Sequence, residues 1–123
     1  MNRESIFPLF SIIIPTRERA QILRQCLEHI AKQTIREQLE VIVVIDGDDP
    51  KTAEMLSSLR WSFPLTCFAI PKSQQGVARN RGVAHARGDI ILFIGDDIFL
   101  APDACEVHVR THARCQVSGV RCQ

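Results

Sequence analysis

Asp96 and Asp97 stand side by side in "IILFIGDDIFLAPD", directly after an apolar run that stops at Gly95. Adjacent carboxylates repel each other, so something cationic has to compensate them. Two other apolar runs end in related chemistry. "FSIII" is followed by Pro15, Thr16, Arg17, Glu18 and Arg19, and "VIVVI" by Asp46, Gly47, Asp48 and Asp49. Guanidinium groups match phosphate oxygens through paired donors. Clustered carboxylates suit a hard divalent ion, which would bridge them to those same oxygens. Brought together, these turns describe a site for a nucleotide diphosphate with Mg²⁺ or Mn²⁺.

Taken one at a time, the same residues have plainer readings. Asp48 and Asp49 precede Pro50, which is the pattern of a turn and a helix cap. Arg17 and Arg19 fit solvated surface charges. Asp46 and the Asp96-Asp97 pair are of a residue type common in turns. The functional reading therefore depends on the fold bringing these turns to one edge.

The elements that would do so are visible in the hydrophobic pattern. Phe10 to Ile14, Val41 to Ile45, Thr66 to Ile70 and Ile90 to Ile94 are short apolar runs rich in β-branched residues. Continuous runs of this kind suit parallel strands covered on both faces. Between the first two, Ile22, Leu23, Cys26, Leu27 and Ile30 follow the spacing of one helix face. Asp49-Pro50 starts a second helix, with Ala53, Leu56 and Leu59 directed inward. "GVARNRGVAHARG" predicts a third, whose small face (Ala78, Gly82, Ala86) permits close approach to a sheet, with Gly88 as its stop. A last helix is expected from about Asp103 to Arg114. The order β-α-β-α-β-α-β-α implies an α/β fold, an open, mostly parallel sheet with flanking helices. Ligands of such sheets bind beyond the carboxyl ends of the strands, where all the turns above fall.

Composition narrows the possibilities. The chain has 123 residues, 46% of them hydrophobic and 24% charged, which suits one globular domain spanning 1–123. A net charge of +1, no Tyr and 6% aromatics argue against a nucleic-acid partner. The five cysteines are odd in number and lack Cys-x-x-Cys spacing, which favours a reducing compartment over a disulfide framework. The N-terminal apolar run is too short for a membrane span and lacks a cleavage site. A cytoplasmic chain, at most peripheral at a membrane, is expected. The first strand is followed by neither Gly-x-Gly-x-x-Gly nor Gly-x-x-x-x-Gly-Lys, which argues against a Rossmann dinucleotide site and a P-loop. A receiver domain would need an acidic pair where "PTRER" stands. Cys105, His108, His112 and Cys115 share one face of the last predicted helix in a zinc-like spacing. Ligands strung over about 15 Å of helix cannot all reach one tetrahedral ion, so a packed face is the better reading.

The segments "SIIIPTRERAQILRQCLEHIAKQT", "EVIVVIDGDDP" and "GVARNRGVAHARGDIILFIGDDIF" together resemble the nucleotide-sugar-binding half of inverting glycosyltransferase family two. The resemblance extends over about residues 10 to 114. It implies a Rossmann-like half-domain of the GT-A type and a nucleotide-sugar donor, with a UDP-sugar expected first. Carried over, it places Pro15, Thr16 and Arg19 along the nucleotide pocket and Asp46 on the base. Arg79 would lie near the base or diphosphate, Asp96 would approach the ribose, and Asp97 would bind Mn²⁺ or Mg²⁺. Gly95 stands where the family's first metal-motif Asp is usual, and Arg17-Glu18 where an aromatic residue and Asn are common.

Such domains commonly run to about 200–250 residues, so the chain is similar to a truncated member. The family's acceptor-binding half and general base follow the metal motif. Here Glu106 is the acidic residue beyond Asp103, and its predicted helical position makes it a poor base, so no catalytic residue is assigned. The implied activity is transfer of a sugar to an acceptor hydroxyl with inversion, the acceptor being a saccharide or lipid-linked glycan. The alternative is a non-catalytic nucleotide-diphosphate-binding module or an inactive remnant. Self-association, or a partner chain supplying the acceptor half, is expected.

Overall fold

The computed structural model describes residues 10–72 and 75–107. Its elements are β1 (Phe10–Thr16), α1 (Ala20–Ile30), β2 (Leu39–Asp46), α2 (Pro50–Ser58), β3 (Leu65–Ile70), α3 (Gln75–His85) and β4 (Ile90–Phe93). The four strands form one sheet in the order β3-β2-β1-β4. Every pairing is parallel, with Phe10 opposite both Leu39 and Ile90, and Val41 opposite Leu65. The expected open α/β sheet with flanking helices is the observed fold.

The apolar runs explain the layers. Successive residues of a strand point to opposite faces, so an unbroken apolar run fills two cores at once. Phe10, Ile12 and Ile14 of β1 and Val41, Val43 and Ile45 of β2 pack under α1 and α2. Ile13, Ile42 and Val44 face the other way, against Ala78 of α3. From α1, Leu23, Cys26, Leu27 and Ile30 are all fully buried. Each leucine or isoleucine among them stabilises the fold by about 1.5–3 kcal/mol. Gly82 gives α3 its close seat, since a Cβ there would lie 2.5 Å from Ile13 Cγ2.

Several expectations need correction. Ile22 is on the outer side of α1 and exposed. In α2 the inward stripe is Thr52 and Leu56, not Ala53 and Leu59. The Asp49 cap binds Thr52 through both its N–H and its hydroxyl, which turns that residue inward. β3 is not covered on both faces, because as an edge strand it leaves Thr66, Cys67 and Ala69 exposed. Gly88 is not the stop of α3, which ends at His85. It lies against β1 instead, where a Cβ would come within 2.8 Å of Ser11 N. Of the last predicted helix, 104–107 is helical, Asp103 is in the turn before it, and 108–114 lies outside the described residues. So do His108, His112 and Cys115, while Cys105 is fully buried.

Two polar ties fix the frame. At the amino end of the sheet, buried Glu40 accepts from Ser11 Oγ at 2.6 Å and from Arg87 N–H at 2.7 Å. Near the end of α1, buried Gln33 donates to Ala101 O at 2.6 Å and accepts from Cys105 N–H at 3.0 Å. Gln33 thereby anchors the segment that follows β4. Among the described residues, no helix is long and apolar enough to cross a membrane.

Candidate functional site

The chain passes from β1 to β2 to β3 on one side, then returns through α3 to place β4 on the other side of β1. The strand order therefore reverses at β1, and in open α/β sheets the crevice beyond the carboxyl ends at such a point is where ligands bind. Here it is a cleft of about 580 Å³, within the usual range for small-molecule sites. Pro15, Thr16, Arg19, Asp46, Arg79, Asp96 and Asp97 all line it, together with Arg17. The fold thus gathers every residue that the sequence assigns to nucleotide or metal.

The two adjacent carboxylates are unequal. Asp96 is 8% exposed. It accepts a hydrogen bond from Thr16 Oγ1 at 2.8 Å and another from Arg19 Nη1 at 3.3 Å. Asp97 is open to the cleft, its side chain 60% exposed, and its Oδ2 lies 3.7 Å from Arg19 Nη1. One guanidinium therefore compensates both acids. Arg19 is also the N-cap residue of α1, with no side-chain cap bond and no acid in the first turn. Ser, Thr, Asp or Asn would cap that helix better. The position is instead used to send a cation across the cleft mouth.

The rest of the lining was less legible in the sequence. Phe93, Ile94 and Ala78 also face the cleft. The Arg79 guanidinium lies 5.7 Å from the Phe93 ring centroid, within cation–π range. Phe93 looks in the sequence like one more strand residue. Its signal is its place as the last residue of β4, where the side chain is 41% exposed. Cys26 lies beneath the carboxylates, its Sγ 4.0 Å from Gly95 O. Burial, helped by the charges of Asp96 and Asp97, pushes its thiol up to about 12. It is a neutral group at physiological pH.

The β2–α2 turn divides its acids. Asp46 lines the cleft, whereas Asp48 is exposed and Asp49 caps α2. Asp49 also reaches outside its own helix, accepting from Glu18 N–H at 2.6 Å. Glu106 accepts from Thr34 Oγ1 at 2.7 Å and does not line the cleft.

Among the described residues no group of three or more His, Cys, Asp or Glu could hold a metal by itself. The residues present fit a different kind of site. Mg²⁺ and Mn²⁺ are commonly held by one or two carboxylates together with substrate phosphates. Asp97, open and beside Asp96, offers that arrangement. Asp97 would be the ligand and Asp96 its neighbour, held back by Thr16.

The chain belongs to glycosyl transferase family 2, whose family model matches residues 11–122. It is 36% identical over 104 residues to the uncharacterized glycosyltransferase YfnE of Bacillus subtilis, covering 83% of this chain and 26% of that protein. Among solved structures it is similar to S. aureus TarS 1-349, determined in complex with UDP (TM-score 0.78, 23% identity, 87% of this chain and 32% of that one). It is also similar to the mannosyltransferase PcManGT of Pyrobaculum calidifontis, in complex with GDP-Man and Mn²⁺ (TM-score 0.66, 26% identity, 74% of this chain and 28% of that one). The chain thus spans about a quarter to a third of the length of such relatives.

Proposed function

We propose that this chain forms the donor-binding half of a glycosyltransferase that uses a nucleotide-diphosphate sugar, a UDP-sugar first among the candidates. The observation that carries the reading is the convergence of Thr16, Arg19, Asp46, Asp96 and Asp97 on one cleft at the reversal of strand order. Asp46 would accept from a base N–H, and Asp96, which is more deeply buried, would approach the ribose. Arg79, braced on Phe93, would meet the base or diphosphate. Pro15 and Thr16 would form the floor, and Arg19 would turn from the carboxylates to the diphosphate. A divalent ion on Asp97 would neutralise the charge of the departing diphosphate. The UDP complex of TarS and the GDP-Man–Mn²⁺ complex of PcManGT support a nucleotide-diphosphate donor by analogy. Transfer to an acceptor hydroxyl, a saccharide or lipid-linked glycan, would proceed with inversion and need a general base. A cytoplasmic setting suits a nucleotide-sugar donor.

One observation favours a second reading. After Asp97 the acidic residues among those described are Asp103 and Glu106, and neither lines the cleft. A non-catalytic nucleotide-diphosphate-binding module needs no base, and a transferase would take one from a partner chain or further residues. Calorimetric titration of UDP and UDP-sugars, with and without Mn²⁺, tests both, with Asp97→Ala as control. Metal-dependent UDP binding that Asp97→Ala abolishes supports the site, and the absence of nucleotide binding sinks both readings. Consumption of UDP-sugar in the presence of saccharide acceptors separates enzyme from module.

A further inference from the structure

The turn between β1, which ends at Thr16, and α1 carries Arg17, Glu18 and Arg19, and it is strained. Glu18 has a φ of 55°, a left-handed conformation that side chains other than Gly, Asn and Asp rarely adopt. Such a conformation persists where the surroundings over-determine it, and it clusters at functional sites. Here the surroundings are supplied by Asp49, which is 31 residues away in sequence. Its Oδ2 accepts from Glu18 N–H at 2.6 Å and from Thr52 Oγ1 at 2.7 Å, while Oδ1 accepts from Thr52 N–H at 3.3 Å. Capping α2 needs only the Thr52 bonds. The bond to Glu18 is additional and joins two turns on the same edge of the sheet. The carboxylate cannot turn away, because Asp49 is 8% and Thr52 0% exposed. Burial alone would raise its pKa, but the hydrogen bonds from Thr52 and Glu18, with the charge of Lys51, hold it below the usual carboxylate value.

We infer that Asp49 is a positioning residue of the donor site, locking the left-handed turn at Glu18 so that Thr16 and Arg19 face Asp96 and the cleft. The inference rests on the donor-binding reading above. Without the bridge, Glu18 relaxes towards ordinary backbone angles, and the turn is correct for only part of the time. Apparent affinity then falls by the fraction of molecules in the competent state.

Two substitutions separate this role from simple capping. Ser and Asn are both good N-cap residues. Asp49→Ser is too short to span to Glu18 N–H, whereas Asp49→Asn keeps an acceptor at the right distance. Exchange of the Glu18 amide, followed by NMR without ligand, reports the turn directly. It is expected to accelerate by about tenfold in Asp49→Ser and by less than about threefold in Asp49→Asn. UDP titrated by calorimetry in the presence of Mn²⁺ should bind about five- to tenfold more weakly to Asp49→Ser and within about twofold of wild type to Asp49→Asn. Melting temperatures of both variants should stay close together. The inference is overturned if Glu18 exchange is unchanged in Asp49→Ser. It also fails if that variant binds UDP as wild type does, or if affinity merely tracks melting temperature across the two variants. A wild-type chain that binds no UDP defeats the donor reading instead, and the amide exchange then decides alone whether Asp49 holds the turn.

Discussion

Replacing Arg19 by Met should move metal and nucleotide affinity in opposite directions. In the structure Arg19 Nη1 lies 3.3 Å from Asp96 Oδ1 and 3.7 Å from Asp97 Oδ2. The arginine side chain is 51% exposed, so solvent screens both pairs and their contribution to stability is under about 1 kcal/mol. Arg19→Met keeps the apolar stem and should lower the melting temperature by no more than a few degrees. Without nucleotide, the guanidinium competes with a divalent ion for the same carboxylates. Its removal should therefore strengthen binding of Mn²⁺ alone by up to about fivefold. With UDP present the guanidinium would, on the proposed reading, gain a new partner in the diphosphate, and its loss would remove a charge-assisted hydrogen bond. Such a bond contributes about 1.5–3 kcal/mol, or roughly ten- to a hundredfold in affinity. Separate calorimetric titrations of Mn²⁺, of UDP, and of UDP in saturating Mn²⁺ distinguish the effects. Unchanged UDP affinity, or weaker binding of Mn²⁺ alone, would show that Arg19 is not the cation shared between carboxylates and diphosphate.

Other residues give shorter tests. A Cβ on Gly95 would lie 3.0 Å from Asp97 Oδ1, the mobile end of an exposed side chain. Gly95→Asp should fit, tighten Mn²⁺ binding by about tenfold, and lower the metal-free melting temperature through like-charge repulsion. Gly82→Ala places a methyl 2.5 Å from Ile13 Cγ2 and should cost about 1–3 kcal/mol in urea unfolding. Asp49, whose folded pKa lies below its unfolded one, contributes stability that is complete above the unfolded carboxylate value of about 3.9 and is lost as pH falls through the folded value. The stability gap between wild type and Asp49→Ser should therefore narrow in urea titrations as pH falls below about 4. Burial pushes the thiols of Cys26 and Cys105 up to about 12 and about 11, so mass-spectrometric mapping should find exposed Cys67 alkylated well before either.

The central strands were legible because an apolar run leaves few choices. "FSIII" and "VIVVI" are apolar at nearly every position, so β1 and β2 had to be covered on both faces, and they are. "TCFAI" has nearly the same pattern but forms an edge strand. Run composition states that a strand forms, but neighbours decide how deeply it is buried. Gly88 follows a helical pattern in the sequence, which predicts it as the helix's stop. The backbone of Ser11, 77 residues away in sequence, is what requires a glycine there. The candidate site was legible for the same reason as the sheet, since polar residues directly after strands share one edge once the strands are parallel. The inequality of Asp96 and Asp97 was legible only by resemblance, because it depends on Thr16 and Arg19 arriving from another strand.

β1 therefore does more than occupy the middle of the sheet. Its alternating side chains fill both cores, and its pairing with β4 brings Thr16 beside Asp96. Its exit carries the strained Glu18 and the bridging Arg19. Each carboxylate turn is tied back to this exit, Asp96 through Thr16 and Arg19, and Asp49 through Glu18. A carboxylate left untied at such an edge would be free to neutralise by protonation or to turn into solvent. Asp97 is the member left most open, with Arg19 as its ion-pair partner among the described residues. On the proposed reading that contrast divides the parts: the tied acids would hold the shape of the cleft, and the open one would take a cation arriving with the ligand.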